Sequence, residues 1–166
     1  AIQSLGGRAE YLSCDASDAP ALSRAVADIR SRHGRIDAVI HGAGIIEDRH
    51  ISEKSPDSFD RVTSAKIEPL LTLSAALDPS ELKLLVLFSS VSGFFGNPGQ
   101  VDYAAANEIL NRIARRCRDQ WPTKTIALNW GPWSGAGMVT PEVARQFLER
   151  GVGMVENAAD ETNRRR

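Results

Sequence analysis

An α/β fold built on a parallel sheet is predicted, and three observations carry it. Segments with strand and helix periodicity alternate along the 166-residue chain. The clearest strand segments, "KLLVLFSS" (83–90) and "TKTIALNW", are nearly continuous apolar runs, the pattern of strands covered on both faces. Gly, Pro, Ser and Asp stand at the joints, where caps and turns need them.

The opening "AIQSL" closes on Gly6-Gly7, a helix C-cap signal, and "RAEYLSC" (8–14) reads as a strand with Cys14 as a buried thiol. Asp15 to Asp18 form a turn in which Ser17 and Asp18 are the better N-caps for the amphipathic "APALSRAVADIRSRHG", ended by Gly34. "IDAVIHGAG" is a strand running into a glycine-rich turn. Ser55 caps and Pro56 opens the long helix "SPDSFDRVTSAKIEPLLTLSAAL", which Pro69 is expected to kink or to cut in half. After the strand at 83–90 come the helix "YAAANEILNRIARRCRDQW", the strand "TKTIALNW", and a last helix, "TPEVARQFLERG".

Composition narrows the function classes. Apolar residues make up 42% and charged residues 25%, with a net charge of -1, so no electrostatic case exists for nucleic acid or an anionic membrane. The closing Arg164, Arg165 and Arg166 read as a solvated tail. Cys14 and Cys117 match neither a metal spacing nor a disulfide framework. No apolar run reaches 18 residues and no signal peptide opens the chain, so a cytoplasmic, reducing setting is expected. The chain starts at Ala1 without an initiator methionine and reads as a segment of something larger.

In parallel α/β sheets, ligands sit beyond the carboxyl ends of the strands. Here those ends are Cys14-Asp15, His41-Gly42-Ala43-Gly44, Ser89-Ser90 and Asn129-Trp130-Gly131. Tyr103 and Asn107, four apart, project from one helix face, and Ser90 lies 13 residues before Tyr103 across a loop holding Gly93, Gly96, Pro98 and Gly99. Lys66 lies on the helix after the "HGAG" turn. Taken singly, Ser90 is an ordinary strand end, Tyr103 a surface aromatic and Lys66 a solvated charge. Asn107 is less at home inside a helix.

Together, "CDASD", "VIHGAG", "SAKIEP", "LFSSVSGFFGNPGQVDYAAAN" and "LNWGPWSGAGMV" resemble, in order, the ketoreductase domain of polyketide and fatty acid synthases, a branch of the short-chain dehydrogenase/reductase family. General members carry Tyr-x-x-x-Lys. This branch carries Tyr-x-x-x-Asn with the lysine on the preceding helix, as Asn107 and Lys66 stand here. The resemblance implies a Rossmann-like, doubly wound parallel sheet, N-terminally incomplete: residues 1–155 as a partial domain without the first strands and phosphate loop, and 156–166 as a polar tail.

It also implies roles. Tyr103 is the proton donor for a carbonyl reduced by hydride, and Lys66 lowers the pKa of its phenol from the unperturbed value of about 10. Ser90 hydrogen-bonds the carbonyl and the developing alkoxide. Asn107 orients Lys66 or a water of a proton relay. On the cofactor side, Gly42, Ala43 and Gly44 line the adenosine ribose and Asp15 meets the adenine amino group. Asn129, Trp130 and Gly131 hold the nicotinamide carboxamide through their backbone, although Trp130 and Trp133 serve equally well as core.

The implied reaction is NADPH-dependent reduction of a β-ketoacyl thioester on an acyl carrier protein, beside other synthase domains. NADPH over NADH is a family inference. Asp48, in "IIED", and Pro98 match the type giving the D-hydroxyl, and Phe95 stands where the opposite type has tryptophan. Asp102 departs from that type's asparagine. "HGAGIIED" and "NWGPWSGAGMV" lean towards iterative synthases such as those for enediynes or polyunsaturated fatty acids. The rival reading, motivated by the missing phosphate loop, is a truncated segment with a structural or interaction role; a nucleotide sensor without chemistry is disfavoured by the presence of Tyr103, Ser90 and Lys66.

Overall fold

The computed structural model describes residues 2–134, 139, 141–149 and 151–156. The tail 157–166, with its arginines, and the "GAGM" of the motif after the last strand lie outside the described residues.

Three parallel strands form the sheet in chain order: β1 (Ala38–His41), β2 (Leu84–Ser90) and β3 (Lys124–Trp130). Their register, Ile40 beside Val86 beside Ile126, brings His41, Ser90 and Trp130 to one edge. The crossovers are α2 (Pro56–Ala76) between β1 and β2, and α4 (Val101–Gln120) between β2 and β3. Right-handed crossovers progressing in one direction put both helices on one face. They pack side by side there, with α1 (Ala19–His33) against α2. Two short pieces complete the middle and end of the chain, α3 (Ser92–Phe95) and α5 (Pro141–Glu149).

The core follows from the helical stripes. Ala106, Leu110, Ala114 and Cys117 recur at helical spacing on α4, and Val62 and Leu70 do so on α2. Leu70, Leu82, Leu85, Leu87 and Leu110 form the central cluster, with Val39 and Trp121 packed against it. On β1, Val39 thus faces the helices, whereas Ile40, pointing the other way, is 66% exposed.

The caps are as expected: Asp18 accepts from the Ala21 amide at 2.9 Å, and Ser55 from the Ser58 amide at 3.2 Å. Three expectations need correction. Residues 8–14 form no strand; the segment enters no ladder of the described sheet, and Tyr11 is 88% exposed. An apolar alternation becomes a strand only where a neighbour takes up its backbone donors and acceptors. For the same reason Cys14 is exposed rather than buried, while Cys117 is buried in α4. Pro69 does not end its helix, which runs unbroken to Ala76; the ring is fully buried and the preceding turn tolerates its missing N–H.

Candidate active site

A cavity of about 590 Å³ opens at the strand-end edge, and Lys66, Ser90 and Tyr103 all line it. Its walls are largely apolar, with Phe88, Trp130 and Trp133 on one side and Phe147 of α5 and Val152 on another. Trp130 is held by Phe88 edge-on at 5.5 Å between ring centroids and by Trp133 at 4.9 Å.

Lys66 occupies the buried stripe of α2, one turn on from Val62 and one turn before Leu70, and is 4% exposed. Its ammonium donates to the Phe88 carbonyl at 3.0 Å and lies 5.5 Å from the Tyr103 ring centroid. Burial lowers its pKa from 10.5 to about 8. Gly44 explains how so long a side chain fits: a Cβ there would stand 2.9 Å from the Lys66 Cε. At this position the absent side chain makes room for the lysine.

Ser90 ends β2. Its Oγ accepts from the Ser92 backbone N–H at 3.2 Å and from the Ser92 hydroxyl at 2.9 Å, which leaves its own proton free to be donated elsewhere. Tyr103, in the first turn of α4, is half-buried; burial pushes its phenol above the ordinary value, against the opposing pull of the Asn107 and Ser90 side chains. Asn107 is wholly buried. Its Nδ2 donates to the Tyr103 carbonyl at 2.7 Å, its backbone carbonyl accepts from Ser89 Oγ at 3.0 Å, and its Oδ1 has no partner among the described residues. It braces the tyrosine's turn and makes no hydrogen bond to Lys66. Gly93 permits this packing, since a Cβ there would meet the Glu108 backbone nitrogen at 2.9 Å.

Gly42, Trp130 and Gly131 also line the cavity, as do Asp48, Phe95 and Pro98. The indole N–H of Trp130 is buried without a partner among the described residues, a donor available to a polar ligand group. Asp48 accepts from Gln100 Nε2 at 2.8 Å, and desolvation by its surroundings raises its pKa. Asn129 is not in this cavity: it is exposed and lines a second, polar depression beside Arg115 and Arg118. Successive strand residues point to opposite faces, so Trp130 and Asn129 cannot share one wall. Asp15 is exposed and caps its own turn through the Ser17 amide at 2.9 Å. Ala43 and Gly44 do not line the cavity, and Gly44 packs against the Lys66 side chain.

Sequence reasoning missed two contributors. His41, read only as a strand end, donates through Nε2 to the Lys66 backbone carbonyl. Lys54, in a loop with no motif of its own, is buried against Asp102. The acidic "IIED" beside an apolar loop was the available signal for the second, because acids near a core require a cation. Among the described residues no group of three or more His, Cys, Asp or Glu is placed to hold a metal, and no helix is long and apolar enough to cross a membrane.

Comparisons with known proteins agree with this arrangement. The KR domain family matches residues 1–135. The chain is 42% identical over 163 residues to a polyunsaturated fatty acid synthase polypeptide of Thraustochytrium sp., covering 96% of this chain and 6% of that protein. It is 32% identical over 165 residues to the polyketide synthase PksL of Bacillus subtilis, covering 96% of this chain and 4% of that one. Among solved structures it resembles PlmKR1, a ketoreductase from the first module of phoslactomycin biosynthesis in Streptomyces sp. HK803, with TM-score 0.87, 34% identity, and 93% of this chain against 35% of that chain. A ketoreductase domain from the bacillaene assembly line gives TM-score 0.82 at 34% identity, over 92% of this chain and 38% of that one. The chain therefore spans a small fraction of its curated relatives and about a third of these structures. With its Rossmann-like parallel sheet and the cavity at the strand ends, it belongs to the ketoreductase (KR) domain family of polyketide and fatty acid synthases, within the short-chain dehydrogenase/reductase superfamily.

Proposed function

We propose that the chain carries out NADPH-dependent reduction of a β-ketoacyl thioester, borne by an acyl carrier protein, to the β-hydroxyacyl thioester, alongside other domains of a synthase. One observation carries the reading: a lysine, a serine and a tyrosine from α2, β2 and α4 converge on one cavity at the carboxyl edge of the sheet.

The lining suits the nicotinamide end of the cofactor, because Gly42 and Gly131 offer backbone without side chains and Trp130 offers an unused buried donor. Asp15, Ala43, Gly44 and Asn129 lie outside this lining, and their cofactor roles, like NADPH over NADH, rest on the resemblance alone. When bound, the cofactor supplies the hydride to the carbonyl carbon.

The chain's own residues handle the oxygen. Ser90, with both acceptor sites engaged by Ser92, directs its proton to the carbonyl oxygen. Tyr103, kept protonated by burial, gives its phenolic proton to that oxygen as negative charge develops. Lys66 then stabilises the phenolate from beside the ring and returns a proton to it. Asn107 fixes the turn carrying Tyr103 and offers Oδ1 as an acceptor to a relay water. Phe95, Pro98 and Asp48 form the substrate end of the cavity, and their pattern favours the D-hydroxyl product.

The test is turnover by the full-length protein, using a β-ketoacyl thioester of a short pantetheine mimic and a small bicyclic ketone. Consumption of NADPH with formation of the chiral hydroxy product is expected. A protein that binds NADPH yet leaves both ketones unreduced would sink the reading.

A further inference from the structure

Lys54 and Asp102 form an ion pair 2.6 Å long whose side chains are 3% and 1% exposed. Neither residue lines the cavity. Burying two charges needs further partners, and both have them. Lys54 Nζ also donates to the Glu47 carbonyl, and the second oxygen of Asp102 accepts the Tyr103 amide at 2.9 Å. That amide is one of the unpaired donors of the first turn of α4, whose cap residue Gln100 supplies no side-chain bond. Gln100 instead holds Asp48, and the Arg49 amide donates to the Gly99 carbonyl at 2.9 Å. Glu47, for its part, is bonded to Ser58 and Arg61 of α2. The loop 47–54 is thus fastened at one end to the helix bearing Lys66 and along its length to the segment entering the helix bearing Tyr103.

We propose that the Lys54–Asp102 pair is a positioning clamp: it locks loop 47–54 to the 97–103 segment and so sets both the Tyr103 phenol and the Asp48 wall of the substrate end. The inference rests on the reductase reading for its effect on turnover, and on geometry alone for its effect on the two segments.

Two variants separate positioning from simple support of the fold, both made in the full-length protein. Asp102→Asn keeps an acceptor for the Tyr103 amide and removes only the charge. The double variant K54M/D102N replaces the pair by uncharged groups of similar size, keeps an acceptor for the Tyr103 amide and avoids the unpaired buried charge that breaking one partner leaves. Expected are a kcat about tenfold lower for Asp102→Asn and about a hundredfold lower for the double variant, with KM for NADPH within about twofold, as misplacement of a reacting group by about 1 Å produces. A double variant that melts like the parent and also turns over like it would overturn the clamp, since only fold support would then be at stake. Hydrogen exchange gives a readout without turnover: Asp102→Asn should speed exchange in 47–54 and in 97–103 together. Acceleration in only one segment, or in neither, refutes the clamp whether or not the parent reduces ketones. An unreactive parent whose two segments loosen together refutes the reductase reading and upholds the clamp.

Discussion

The imidazole of His41 donates through Nε2 to the backbone carbonyl of Lys66, 2.8 Å away. This bond crosses from the end of β1 to the middle of α2, one residue after Ala65, whose carbonyl loses its helical donor to Pro69. His41 is 4% exposed and its pKa is lowered by burial, so it stays neutral as the fold requires. A buried base of lowered pKa contributes stability that is complete above its unfolded value of 6.5 and is lost as pH falls through the folded one. His41→Leu should lower stability by about 0.5–1.5 kcal/mol, the net worth of the lost side-chain bond, and flatten the acid limb of a melting-temperature profile below pH 6.5. An unchanged acid limb would remove His41 from that account.

Tyr103→Phe should abolish ketone reduction while leaving NADPH affinity within about twofold, because the phenol serves the oxygen of the substrate. Retained turnover, measured by product formation rather than cofactor loss, would refute its role as proton donor.

Lys66→Met should trade function for stability. The lysine's pKa falls from 10.5 to about 8, so at neutral pH the folded state carries a buried charge that costs on the order of 3 kcal/mol, relieved only as pH rises from about 8 to 10.5. The methionine variant should melt higher at pH 7 by part of that amount and lose reduction. In the parent, the reduction rate should decline above about pH 8 as Lys66 gives up its proton. A rate that is flat from pH 7 to 10 would separate Lys66 from the proton path.

Gly93→Ala and Gly44→Ala should fail differently. At Gly93 the new Cβ meets backbone at 2.9 Å, which cannot yield cheaply, so a stability loss of about 1–3 kcal/mol is expected. At Gly44 it meets the flexible Lys66 side chain, so melting should change little while kcat drops as the ammonium is displaced. Calorimetry and steady-state kinetics on both variants would distinguish them, and equal effects on kcat would contradict the separate reasons given for the two glycines.

Much of this was legible in the sequence because the signals are local. The strands at 84–90 and 124–130, the caps Asp18 and Ser55, and the Ser90-to-Tyr103 interval all appear as patterns within a short window. The failures are non-local. Residues 8–14 have strand composition, but a strand exists only beside a partner. The cofactor roles that the resemblance gives Asp15 and Asn129 are a separate matter, since both side chains lie outside the cavity and the Asn129 role belongs to its backbone. Lys66 could have been read more firmly, since Ser58, Val62, Lys66 and Leu70 form one buried stripe in which a lysine stands where an apolar residue belongs.

The ammonium and the phenol reach the cavity from two different helices, α2 and α4, packed side by side. Had both sat one turn apart on a single helix, their separation would be fixed by 3.6-residue geometry and no rigid-body movement could change it. Placed on two helices, the separation becomes an adjustable gap. The distance from charge to ring is set by how α2 and α4 pack against each other, and any change in that packing changes it.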